Sequence, residues 1–132
     1  MKITADTNVL IRAVVEDDPR QAKAAQKALA EADLVALTPA TLCEFVWVLS
    51  QGYGIPDTDI AKTLRNLIAA ANVVVNRGAA EAGLTLLEAG GDFADGVIAH
   101  EGNRLGAERF VSFDKKAVKL LQNHGGSAHL LS

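Results

Sequence analysis

Short apolar runs alternate along this chain with longer stretches in which apolar residues return every three or four positions. The first pattern predicts strands and the second helices. Residues 2–5 predict a short strand. Asp6-Thr7-Asn8 follows, then an apolar helical turn from Val9 to Val15. Pro19 opens an alanine-rich helix to about Ala32, with polar residues along one face. Leu34-Val35-Ala36-Leu37 is a compact apolar run and reads as a buried strand. Thr38 and Pro39 then form a helix start, with Thr as cap and Pro in the first helical position. That helix is expected to reach about Gln51 and to stop at Gly52-Tyr53-Gly54.

Pro56 introduces a helix over residues 57–70, and Asn72 to Val75 reads as a strand. Arg77 to Ala89 is helical in pattern and ends at Gly90-Gly91. A helix from Asp92 or Phe93 to about Leu105 precedes a strand over residues 109–113. Asp114 to about Asn123 is helical, Gly125-Gly126 a turn, and Ala128 to Leu131 a last strand. Strands and helices alternate throughout, which predicts an α/β fold: a parallel sheet with helices on both faces. The 132 residues fit one domain, residues 1–132, with no linker or internal repeat. The helical pair at 39–70 has no strand between its halves and is expected to project as a hairpin.

Composition adds three constraints. The chain is 49% hydrophobic and 22% charged, enough to build a core and too apolar for disorder. No run approaches the roughly 20 apolar residues of a membrane helix. An acid as early as Asp6 does not suit a signal peptide, so a cytoplasmic location is expected. The single cysteine, Cys43, excludes an internal disulfide and reads as a small core residue.

Five acids stand where solubility does not require them. Asp6 and Asp114 end strands, at the edge where α/β sheets collect ligands. Each is equally well placed to cap the helix that follows. Glu44 is the charged residue in a helix that is apolar almost all round: Leu42, Phe45, Val46 and Leu49 form one stripe, and Ala40, Cys43, Trp47 and Val48 fill most of the rest. Such a helix is expected to be buried, and a buried carboxylate needs a partner or a cation. Asp92 and Asp95 lie three apart at a helix start, Asp92 as the natural cap and Asp95 facing a packed, semi-buried place. Carboxylates from distant segments repel each other unless a cation joins them. Hard oxygen donors suit Mg²⁺ or Mn²⁺. His100, His124 and His129 are not spaced as a zinc motif and read as surface or packing residues.

The net charge of −3 argues weakly against a nucleic-acid partner. Setting the five acids aside leaves 11 acidic residues against 13 basic ones, a balance of +2. Lys115, Lys116, Arg12 and Arg104 are candidates for contacts to a phosphate backbone, with solvated surface charge as the plain alternative.

Four segments, in order, carry a family resemblance. Ile3-Thr4-Ala5-Asp6-Thr7-Asn8-Val9-Leu10 resembles the opening motif of PIN-domain nucleases. Thr38 to Glu44 supplies an isolated helix acid. Asp92-Phe93-Ala94-Asp95-Gly96-Val97-Ile98-Ala99 is similar to their internal helix motif, and Phe110-Val111-Ser112-Phe113-Asp114-Lys115-Lys116-Ala117 to their late strand-to-helix motif. Length and spacing are most similar to the VapC toxins of toxin–antitoxin pairs. Gly96 and Ser112 depart from the Ala and Thr common there, keeping small size and polarity.

The resemblance implies a three-layer α/β/α fold with a central parallel sheet of four or five strands. It makes Asp6, Glu44, Asp95 and Asp114 the catalytic, metal-binding acids, with Asn8, Ser112 and Asp92 supporting them. It implies a Mg²⁺- or Mn²⁺-dependent endoribonuclease, a VapB-like antitoxin as partner, a homodimer, and a higher-order complex with the antitoxin. The apolar hairpin, with Phe45, Trp47 and Tyr53, is a candidate groove for that antitoxin, or simply core. The alternatives are a non-toxin PIN nuclease in RNA processing and an aspartyl-phosphate phosphatase or receiver-like domain. The phosphatase wants an acid where Asn8 stands, and the receiver wants one where Asn76 stands.

Overall fold

The computed structural model describes all residues, Met1–Ser132. By contacts the chain forms two compact units, Met1–Asn76 and Arg77–Ser132.

The first unit is built on β1 (Lys2–Thr4), β2 (Leu34–Leu37) and β3 (Val73–Val75). They pair in parallel in the order β1-β2-β3, with Ile3 opposite Val35 and Val35 opposite Val73. Four helices accompany them: α1 (Thr7–Val15), α2 (Pro19–Glu31), α3 (Pro39–Trp47) and α4 (Asp57–Ile68). Caps fix where the helices begin. The Asp18 carboxylate accepts from the Gln21 N–H ahead of α2, and the Thr38 hydroxyl accepts from the Thr41 N–H ahead of α3. Asn72 closes α2 at its other end by donating to the carbonyls of Leu29 and Ala32 at 2.9 and 3.0 Å. The core gathers Leu10, Ile11, Val35, Leu37, Phe45, Leu49, Ile60 and Leu64, all essentially buried.

The helix expected to run to Gln51 is helical to Trp47 and then widens into a π-helical turn, Val48–Gly52. The Tyr53 N–H reaches back five residues to the Val48 carbonyl at 3.1 Å. Gly54, with φ of +64°, turns the chain toward α4.

The second unit contains α5 (Arg77–Glu88), α6 (Phe93–Arg104), β4 (Phe110–Ser112), α7 (Lys115–Asn123) and β5 (Ala128–Leu130). β4 and β5 pair in parallel, with Val111 opposite His129. The α5–α6 packing is unusually close, and glycine is the reason. A Cβ on Gly83 would fall 2.5 Å from the Phe93 ring. One on Gly96 would meet the Ala82 carbonyl and lie 2.9 Å from the Gly83 Cα. The expected α/β class with parallel strands holds. All five strands pair in parallel, divided by hydrogen bonding into sets of three and two. No helix is long and apolar enough to cross a membrane.

Candidate metal-binding acids

Asp6 and Asp114 lie just past the carboxyl ends of β1 and β4, Glu44 lies within α3, and Asp92 and Asp95 lie at the start of α6. Asp6 follows β1 and is exposed. Its carboxylate accepts from the Thr7 N–H at 2.8 Å and caps α1. Thr7 is buried, 7% exposed, and its hydroxyl donates to Glu44 Oε1 at 3.3 Å. One threonine thus touches both acids of the first unit, by its backbone and by its side chain. Sequence reasoning gave Thr7 no role. The available signal was a hydroxyl between Asp6 and the apolar start of a helix. Asn8, expected to support this group, is exposed on the first turn of α1.

Glu44 corrects an expectation. It is exposed, not buried, and no burial strain requires a cation beside it. The buried stripe is confined to Leu42, Phe45 and Val46 of α3 and Leu49 of the π-helical turn, while Ala40, Glu44 and Trp47 face outward. Small and aromatic residues on the outer face gave the helix a uniformly apolar look without burying it. The three aromatics of the hairpin divide: Phe45 is core, while Trp47 and Tyr53 reach the surface. Phe45 is wholly buried in the core, and the Tyr53 hydroxyl donates to Asp17 at 3.1 Å. That bond to a carboxylate pushes the Tyr53 pKa up. Arg12 pairs with the same Asp17 at 3.1 Å, which occupies one of the cations considered for phosphate contacts. Lys115, Lys116 and Arg104 are exposed, and Cys43 is half-buried.

In the second unit Asp92 caps α6, accepting from the Ala94 N–H at 2.9 Å. Asp114 caps α7, accepting from the Lys116 and Ala117 N–H groups at 2.9 and 3.1 Å. Ser112 braces that corner, its hydroxyl accepting from the Asp114 N–H at 3.0 Å. Asp95, in the first turn of α6, is half-buried as expected. Burial pushes its pKa up, and the Asp92 and Asp114 carboxylates push it further. Gly96, next to it, is where α6 presses on α5, which brings the Asp95 backbone close to that helix.

The groups are oxygen donors with like charge, the chemistry a hard dication satisfies. Asp95, crowded by two carboxylates, is the place where such an ion would relieve most repulsion. No three His, Cys, Asp or Glu side chains are arranged so as to hold an ion by themselves. A cleft of about 520 Å³ in the second unit is lined by His100, Asn103, Arg109, Phe110 and His124 among others. Glu108 lines it but Asp6, Glu44, Asp92, Asp95 and Asp114 do not, so its size does not mark it as the place of the chemistry. His124 accounts for itself locally, its Nδ1 lying 2.8 Å from the Leu120 carbonyl.

Compared with known protein families, the chain matches the PIN domain over residues 3–120. Searches of curated proteins and of solved structures found no match.

Proposed function

This chain belongs to the PIN-domain family, and from that membership we propose that it is a Mg²⁺- or Mn²⁺-dependent endoribonuclease, the toxin of a VapBC-type pair. The observation that carries the catalytic part is Asp95. It is a half-buried carboxylate whose charge is opposed by its own burial and by Asp92 and Asp114. Groups of this kind concentrate where a cation or a reaction uses them. The toxin part is supported by the order and spacing of the four motifs.

In this reading Asp6, Glu44, Asp95 and Asp114 offer the ligands. Mg²⁺ is held by one or two carboxylates and keeps several waters, so a cage of three acids is not needed. When bound, the metal lowers the pKa of water and stabilises charge on the phosphodiester and on the departing oxygen. The chain's own residues set the stage. Thr7 steadies Asp6 and Glu44. Ser112 and the first turn of α7 hold Asp114 in one orientation, and Asp92 is tied to the start of α6. We read residues 1–132 as one nuclease domain because the family match runs across the boundary between the two compact units. RNA as substrate, a VapB-like antitoxin, a homodimer and a cytoplasmic location belong to the same proposal.

The test is cleavage of tRNA and rRNA by the wild type, Asp6→Asn and Asp95→Asn, each with Mg²⁺, Mn²⁺ or EDTA. EDTA is expected to abolish cleavage, and each substitution to lower it by about 100-fold or more. Activity that survives both substitutions rejects the assignment.

A further inference from the structure

The chain holds one tryptophan, and it is on the surface. Trp47 is 65% exposed at the end of α3, although the neighbouring Phe45, Val46 and Leu49 are buried. Leaving an indole in water forgoes the burial that stabilises the rest of this helix. Its position says what it faces. Trp47 lies three residues after Glu44 on the outward side of α3, so the two side chains are neighbours across one turn. Helical side chains lean toward the N-terminus, which tips the indole back toward Glu44. Glu44 is bonded to Thr7, which also binds Asp6. The backbone widens into the π-helical turn immediately beyond Trp47.

The setting favours a base over a protein surface. A docking face for a protein needs contiguous apolar area. Here Glu44 lies on one side of Trp47, and Ser50 and Gln51 follow on the other. An exposed flat ring one helical turn from the Glu44 carboxylate suits an unpaired nucleobase, which stacks through a π-face that every base has.

We propose that Trp47 is a substrate-binding residue, a platform on which an unpaired base of single-stranded RNA stacks beside the Asp6–Thr7–Glu44 group. The proposal rests on the ribonuclease reading and refines it. Substrate held this way is single-stranded at the nucleotide next to the acids, and bases buried in a duplex are excluded from the platform.

Because Trp47 is the sole tryptophan, its emission reports on the platform directly. The experiment uses the Asp95→Asn protein with Mg²⁺, in which cleavage is expected to be about 100-fold or more slower, so that binding is read before the RNA is cut. It is titrated with an end-labelled single-stranded RNA oligonucleotide and with the same strand annealed to its complement. Single strands are expected to quench the emission, while the duplex leaves it unchanged. Adding Trp47→Leu should weaken single-strand binding by about 5- to 100-fold, and Trp47→Phe should recover most of it. The melting temperature of both variants should stay near the parent's, since the ring is largely solvated. Equal affinity in the Leu variant, with single strands leaving the parent's emission unchanged, overturns the platform alone and turns the exposed ring toward a protein partner. Equal losses in Leu and Phe variants with a lowered melting temperature also overturn it, as a structural role. Absence of RNA binding by wild type and parent alike overturns the platform and the ribonuclease reading together.

Discussion

Asp95 is the side chain whose surroundings work hardest against its charge. Its pKa is raised in the folded chain, first by burial and then by Asp92 and Asp114. For an acid shifted this way, the folded chain holds more protons than the unfolded one between the two pKa values. Stability therefore falls as pH rises through that interval, and the penalty is complete above the folded pKa. Without metal, Asp95→Asn should remove the penalty. In chelator at pH 7 its melting temperature is expected to exceed wild type by on the order of 1–3 °C, a small gain because the group is partly solvated. The gain should fade as pH falls to the ordinary carboxylate range near ~3.9. Thermal melts across pH check this, and a lower Tm for Asp95→Asn at pH 7 contradicts it. The placement of Asp95 was legible because small and apolar residues follow it. The cap roles of Asp6, Asp92 and Asp114 were legible as well, since Asp before a helical pattern is a strong signal. Glu44 was misread because residue type alone does not say which side of an apolar helix meets solvent. Thr7 was missed because its hydroxyl finds Glu44 37 residues away.

At the scale of elements, the α5–α6 contact decides what the Asp95 helix can tolerate. Glycine inside a helix costs up to about 1 kcal/mol against alanine, so propensity alone favours Ala at position 96. The contact opposes it, because an added methyl there meets the Ala82 carbonyl and Gly83, backbone groups that cannot swing aside. Gly96→Ala is expected to destabilise the protein by about 1–3 kcal/mol, measured by denaturant unfolding. A neutral or stabilising result would show that the helices separate easily. The departure from alanine at this position thus has a packing reason that only coordinates reveal. Element boundaries were legible to within a few residues, through Pro19, Thr38-Pro39 and Gly90-Gly91. The π-helical turn was not, since no residue type in Val48–Gly52 marks a five-residue hydrogen bond in advance.

At the scale of the molecule, the parallel α/β class followed from the alternation of elements. The division of five strands into three and two did not, because pairing joins segments far apart in sequence, such as Val35 and Val73. The family match from residue 3 to 120 spans all the acids, and the central claim is that Asp6, Glu44, Asp95 and Asp114 serve one metal-dependent reaction. Calorimetric titration of Mg²⁺ into chelator-stripped wild type, Asp6→Asn and Asp95→Asn tests that claim most directly. Binding by the wild type, weakened by about tenfold or more in each variant, is the predicted result. Mg²⁺ affinity indifferent to both substitutions, or no binding by the wild type, would contradict it.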